Sequence, residues 1–188
     1  MKHTSFPPLH CIIAATALAF AGCNKAPDAG GKESGTAAAP AKDGGTIEGA
    51  TALLKKFLAP GADTASLSKE LRPTSDDYAK IFTAEFGRKL EAMHKPMWDA
   101  SQANIRPNEG QTELKLSKAT TDDFKNATDA AKEFPGGYSK IGDKLQPGVT
   151  LFRFKFVKPG ESLGMAFDGL AFVNGHWRIF PKPWRAAE

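Results

Sequence analysis

Cysteine is nearly missing from this chain. There are two in 188 residues, Cys11 and Cys23, and the last 165 residues have none. That excludes an intrachain disulfide, a thiolate nucleophile and a cysteine-based metal site from most of the protein. Histidine is also scarce: of four, only His94 and His176 lie beyond residue 10. No carboxylate spacing near either forms a metal signature, so no metal site is expected. There is no phosphate-binding loop and no paired-glycine dinucleotide motif, so no cofactor is expected either. Long apolar runs are absent too. The best, Cys11–Phe20, has ten residues, too few to span a bilayer as a helix. Charge is only mildly one-sided, with 25 Lys and Arg against 21 Asp and Glu, scattered along the chain. Scattered cations in small excess argue against nucleic acid as a partner.

What is present begins with the leader. Lys2 and His3 precede the apolar stretch, and Phe20-Ala-Gly-Cys23 closes it. This resembles the lipobox of a bacterial lipoprotein precursor. The resemblance implies removal of residues 1–22, diacylglycerol on the Cys23 thiol, and partnership with a lipid bilayer through the acylated cysteine. Asn24 follows where an Asp would retain such a protein at the inner membrane. The expected location is therefore the cell envelope, on the outer membrane facing the periplasm in a Gram-negative host. Cleavage removes only Lys2 among the charged residues and leaves +3.

Residues 24–46 read as a tether. Thirteen of the 23 are Gly, Ala or Pro, and none is Val, Ile, Leu, Phe, Tyr or Trp. Such a segment cannot bury enough apolar surface to offset its ordering entropy. As a coil it would span ~25–30 Å. Residues 47–188 are then a single domain of ordinary size.

Its first half is helical by pattern. Apolar residues recur at three and four over 47–59, and Pro60-Gly61 ends that run. A short piece follows at 64–71. Thr74 caps a longer helix with the stripe Tyr78, Ile81, Phe82, Phe86, Leu90 and Met93, which Pro96 should kink or end. Asp76-Asp77 and Asp122-Asp123 look like carboxylates for a cation, but acids in the first helical turn explain them better. The second pair opens a helix over 122–134.

The remainder alternates. Strands are expected at 113–117, 149–157, 162–173 and 176–180. Asn174-Gly175 signals a two-residue hairpin, which pairs Phe172 with Trp177 and Leu170 with Ile179. Leu163, Met165 and Phe167 then have the wrong parity unless a bulge near Asp168-Gly169 restores it. Expected is an α+β domain, N-terminal helices on one face of a curved antiparallel sheet ending in a β-hairpin, cone-like. The element order and the Asn174-Gly-His-Trp-Arg-Ile-Phe180 strand resemble the nuclear transport factor two-like superfamily. That resemblance implies a cystatin-like cone, and in such cones a buried Asp or His can act as a base. Here Asp168 would be the base and His176 its partner.

Two classes of function stay open. One is a non-catalytic binding or envelope-accessory domain. The other is a small-molecule or enzymatic pocket inside the cone. For the first, parity gathers Lys115, Arg153, Lys155 and Arg178 on the sheet face away from the core, with His176. That face suits an anionic envelope component or an acidic protein.

Overall fold

A computed structural model describes residues 44–188, all within one compact unit. The leader, Cys23 and the tether up to Asp43 lie outside the described residues. Four helices come first: α1 (Ile47–Lys55), α2 (Thr64–Glu70), α3 (Ser75–Ile81) and α4 (Ala84–Asp99). Strand β1 (Glu113–Thr120) leads into two short helices, α5 (Thr121–Asn126) and α6 (Asp129–Lys132). The chain ends in an antiparallel meander of β2 (Thr150–Val157), β3 (Gly164–Val173) and β4 (His176–Ile179). The sheet order is β1-β2-β3-β4, and the sheet does not close. This is the α+β class expected from the sequence.

The two Thr-x-x-Asp signals build the same device. Thr74 and Thr120 each accept from the backbone N–H three residues on, and Asp77 and Asp123 each reach back to the cap N–H. Both caps have φ −94° and ψ 168°. Each box satisfies two amides that a helix start leaves without intrahelical partners.

Three helix boundaries differ from expectation. The long helix breaks at Phe82, which is fully buried and extended and bridges Leu145. The Thr83 N–H donates to the Lys144 carbonyl at 2.8 Å, so the break exchanges helical bonds for tertiary ones. Gly87 lets α4 turn back against α3, since a Cβ there would sit 3.2 Å from the Tyr78 carbonyl oxygen. Pro96 does not end α4 but lies inside it. The third change is at Ala127, whose left-handed φ of 49° divides the expected 122–134 helix into α5 and α6.

The hairpin register agrees pair for pair with the sequence argument, from Leu170↔Ile179 to Val173↔His176. Asn174 and Gly175 have φ of 51° and 82°, as a type I′ turn requires. The bulge is also present: Phe152 faces Leu170 while Arg153 faces Asp168, so Gly169 is the extra residue. Only glycine suits it, with φ at +82° and the Phe180 carbonyl where a Cβ would be.

The core lies on both faces of the sheet, not on one. Phe152, Phe154, Phe156, Leu170 and Ile179 pack with Leu54, Phe57, Leu71, Trp98 and Ile105. On the opposite face Leu151, Ala171 and Val173 pack with Ile81, Phe86, Leu90, Phe124 and Tyr138. The reason is visible in β2, where Leu151 and Phe152 are adjacent and both fully buried, so consecutive side chains enter different clusters. Trp177 touches Phe172 and Phe152 at ring distances of 5.4 Å but remains half-buried.

Candidate functional site

Two acidic side chains organise the polar structure, and they do different things. Asp77 is completely buried. Its Oδ2 accepts from the Thr74 N–H (2.9 Å) and Arg178 Nε (3.0 Å). Its Oδ1 accepts from Asn174 Nδ2 (2.8 Å) and His176 Nε2 (3.1 Å). Burial would raise this carboxyl, but the bonds from Thr74, Asn174, His176 and Arg178 outweigh it and hold the pKa at about 2. Asp77 thus fastens the start of α3 to the β3–β4 hairpin. The capping role of Asp77 is legible in the sequence; its contact with the hairpin is not. Asn174, His176 and Arg178 occur at a spacing of two, which is the trace a shared acceptor would leave on one face of a hairpin.

Asp168 stands on the bulge at the wall of a cleft of about 470 Å³. Its Oδ1 accepts from the Tyr138 hydroxyl (3.0 Å) and the Lys182 N–H (3.2 Å). Burial raises its pKa above the ordinary value, against the lowering effect of those bonds. The cleft runs between the C-terminal half of α4, the segment 102–105 and the first half of β3. Met93, Met97, Ile105, Phe167 and Ile179 supply its apolar lining, and Lys182 and Arg185 stand at its exposed side. His94 also lines it, but both ring nitrogens are in use. Nε2 lies 2.8 Å from the Pro181 carbonyl, which can only accept, so Nε2 carries the proton. Nδ1 therefore accepts from the Tyr78 hydroxyl at 2.9 Å. Burial depresses the pKa to about 4, despite the bond to Pro181, and keeps the ring neutral.

The candidate base and partner are not brought together. His176 is bound to Asp77, and Asp168 to Tyr138 and Lys182. The cationic set also divides. Lys115 and Lys155 are direct cross-strand partners, and Arg153 faces Ser117 two residues along. Arg153 donates to the Glu133 carbonyl at 2.6 Å. Arg178 is held by Asp77 and the Glu70 carbonyl, so it does not belong to a free surface. Met93, expected in the core, is 38% exposed and lines the cleft.

The letters Gly160-Glu-Ser-Leu-Gly164 spell the G-x-S-x-G pattern. A nucleophile elbow needs that serine between a strand and a helix. Here the letters span the turn between β2 and β3, Ser162 is exposed, and neither His94 nor His176 bonds it. They carry no hydrolase chemistry.

Among the described residues no group of three or more His, Cys, Asp or Glu side chains could hold a metal ion, and no helix is long and apolar enough to cross a membrane. Comparison with family models, with curated proteins and with solved structures gives no match.

Proposed function

We propose that the chain is an exported lipoprotein, anchored through acylated Cys23, whose domain is a non-catalytic binding module working through the cleft beside β3. The Phe20-Ala-Gly-Cys23 signal and the Gly/Ala/Pro-rich segment support the anchor. The observation that carries the binding reading is the chemistry of the cleft. Its lining is mainly apolar, both His94 nitrogens are occupied, and among the described residues Asp168 hydrogen-bonds only the Tyr138 hydroxyl and the Lys182 N–H. Such a site is made to hold a ligand. Gly44 and Gly45 pack on Phe172, near the hairpin end of β3, whereas the cleft borders the other end. A domain tethered at Gly44 would then present the cleft away from its attachment point.

A photo-cross-linking amino acid at Met97, and separately at exposed Lys125 on α5, tests this in the intact envelope. The expected result is a discrete adduct at 97 and none at 125. Adducts at 125 but none at 97 would remove the cleft from the account. For the anchor, a palmitate analogue should label the wild type and not Cys23→Ser; equal labelling of both contradicts it. The enzymatic alternative rests on Asp168, whose Oδ2 has no hydrogen-bond partner among the described residues. If that carboxyl is a base, Asp168→Asn abolishes turnover of any bound compound while leaving its affinity intact.

A further inference from the structure

We propose that the occupant of the cleft is an extended peptide segment of a partner protein, alternating apolar and acidic side chains, which adds to the sheet as a fifth strand along Gly164–Asp168. This rests on the reading of the cleft as a binding site and names what fills it.

The first observation is an unfinished sheet. β3 has ten residues, but β4 pairs only with Leu170–Val173. After Ile179 the chain makes one more backbone–backbone bond to β3, from the Phe180 N–H to the Gly169 carbonyl at 2.9 Å. Pro181 then has no N–H to offer, and Lys182 is left-handed at φ 48°, so the chain leaves the sheet. Gly164–Asp168 thus pair with β2 on one side and with no strand on the other. The cleft occupies the line that β4 would have followed, since Ala166, Phe167, Asp168, Ile179 and Pro181 all border it.

The second observation is that this edge lacks charge and proline up to Phe167, before Asp168 and the bulge. Exposed strand edges ordinarily carry charge or proline, which discourage pairing. The other outer strand, β1, exposes Glu113, Lys115 and Lys118. Leu163-Gly-Met-Ala-Phe167 has no charge and no proline, with Leu163 79% and Met165 38% exposed. An edge of this kind favours strand addition.

The third observation is charge. Lys115, Lys155 and Ala166 form one row across the sheet, which ends at the open edge. Like charges placed directly opposite destabilise a strand pair. None of Lys115, Lys155, Lys182 and Arg185 forms an ion pair among the described residues. A fifth strand would lie ~10 Å from the Lys155 backbone, two strand spacings away. Ala166, between them, is only a methyl group. A glutamate on the added strand can therefore lean over it to the Lys155 ammonium. On the opposite face the added side chains would meet Met165, Phe167 and Met97. Period two thus demands acidic on one side and apolar on the other. Two strand carboxylates share the acidic-facing side: Asp168, held by Tyr138 and the Lys182 N–H, and Glu113, on β1 at the far side of the sheet.

The test uses the full-length chain in detergent micelles and a blocked heptapeptide alternating glutamate and valine. Backbone amide signals and hydrogen exchange are followed along β3. Expected are shifts confined to 164–168 and the cleft, and at least tenfold slower exchange at alternate amides of that segment. A peptide alternating lysine and valine, and the glutamate peptide N-methylated at every second amide, should each bind at least tenfold more weakly. The charge-reversal variant K155E/K182E/R185E, at half-buried Lys155 and exposed Lys182 and Arg185, should lose the same factor while keeping the wild-type amide spectrum elsewhere. Met165→Lys, a second exposed change, should also lose it. Three results overturn the proposal: equal affinity for the lysine peptide, binding without protection at 164–168, and a self-associated dimer protected there before peptide is added. The binding reading itself fails separately, through loss of the Met97 cross-link in the envelope.

Discussion

The two halves of β3 are made of similar residues and live in different surroundings. Leu170 has a strand on each side, Ala171 and Val173 pair with β4, and all three are buried. Gly164, Met165 and Ala166 share the same strand and the same β2 neighbour, and all three are exposed. Hydrophobicity alone does not separate these halves. The difference comes from β4, which stops after Ile179, and from the Asp77 contacts that lock its hairpin onto α3. One end of the strand is paired by the chain itself, and the other has no second strand beside it among the described residues.

The comparison breaks most severely at the closed end. Phe152 is fully buried, opposite Leu170 and against Trp177. Phe152→Ala should cost about 3–5 kcal/mol, read as a lower midpoint in urea unfolding. Asp77→Ala leaves Asn174, His176 and Arg178 facing a lost acceptor. A loss of about 3 kcal/mol is expected, of the order seen when one partner of a buried pair is removed. A change below about 1 kcal/mol would mean that the hairpin is held by packing alone.

Acid should act in two windows, again through the packed part of the molecule. His94 has its folded pKa depressed to about 4, below the ordinary histidine value of 6.5. The unfolded chain takes up that proton first, so stability falls as pH drops from about 6.5 to about 4, by up to ~3 kcal/mol. Asp77 is depressed from 3.8 to about 2, so its contribution is present above about 4 and is lost as pH falls toward 2. Urea midpoints measured across pH 2–7 check both windows, and His94→Gln should flatten the upper one.

The smallest stability effect is expected at the open end. Met165→Lys should change unfolding by no more than ~0.5 kcal/mol, because little is buried there. The same substitution should weaken binding at the edge at least tenfold. A large stability loss would show that this half of β3 is already covered.

Local signals made much of this legible in advance. The Asn174-Gly175 turn sets the hairpin register, and the parity conflict between Leu163–Phe167 and Leu170–Phe172 requires the bulge that Gly169 makes. The two Thr-x-x-Asp caps identify two helix starts. What escaped depended on contacts distant in sequence. The break at Phe82 follows from its bridge to Leu145, and no local propensity announces it. The commitment of Arg178 and His176 to Asp77 crosses about a hundred residues, so strand parity alone made them look like a free cationic face. The covered second face followed the same logic: parity says which residues point away from one cluster, and cannot say that a second cluster lies behind them. Parity likewise placed Leu163, Met165 and Phe167 on a core face, but only the tertiary fold shows that nothing covers the first two.

Amide hydrogen exchange along β3 tests the central claim most directly, in the full-length chain with and without the glutamate–valine peptide. The account expects strong protection at Leu170–Val173 in both states. At Gly164–Asp168 it expects alternate amides to exchange freely without peptide and at least tenfold more slowly with it. Protection at Gly164–Asp168 equal to that at Leu170–Val173 before any peptide is added, or exchange there that the peptide leaves unchanged, would contradict it.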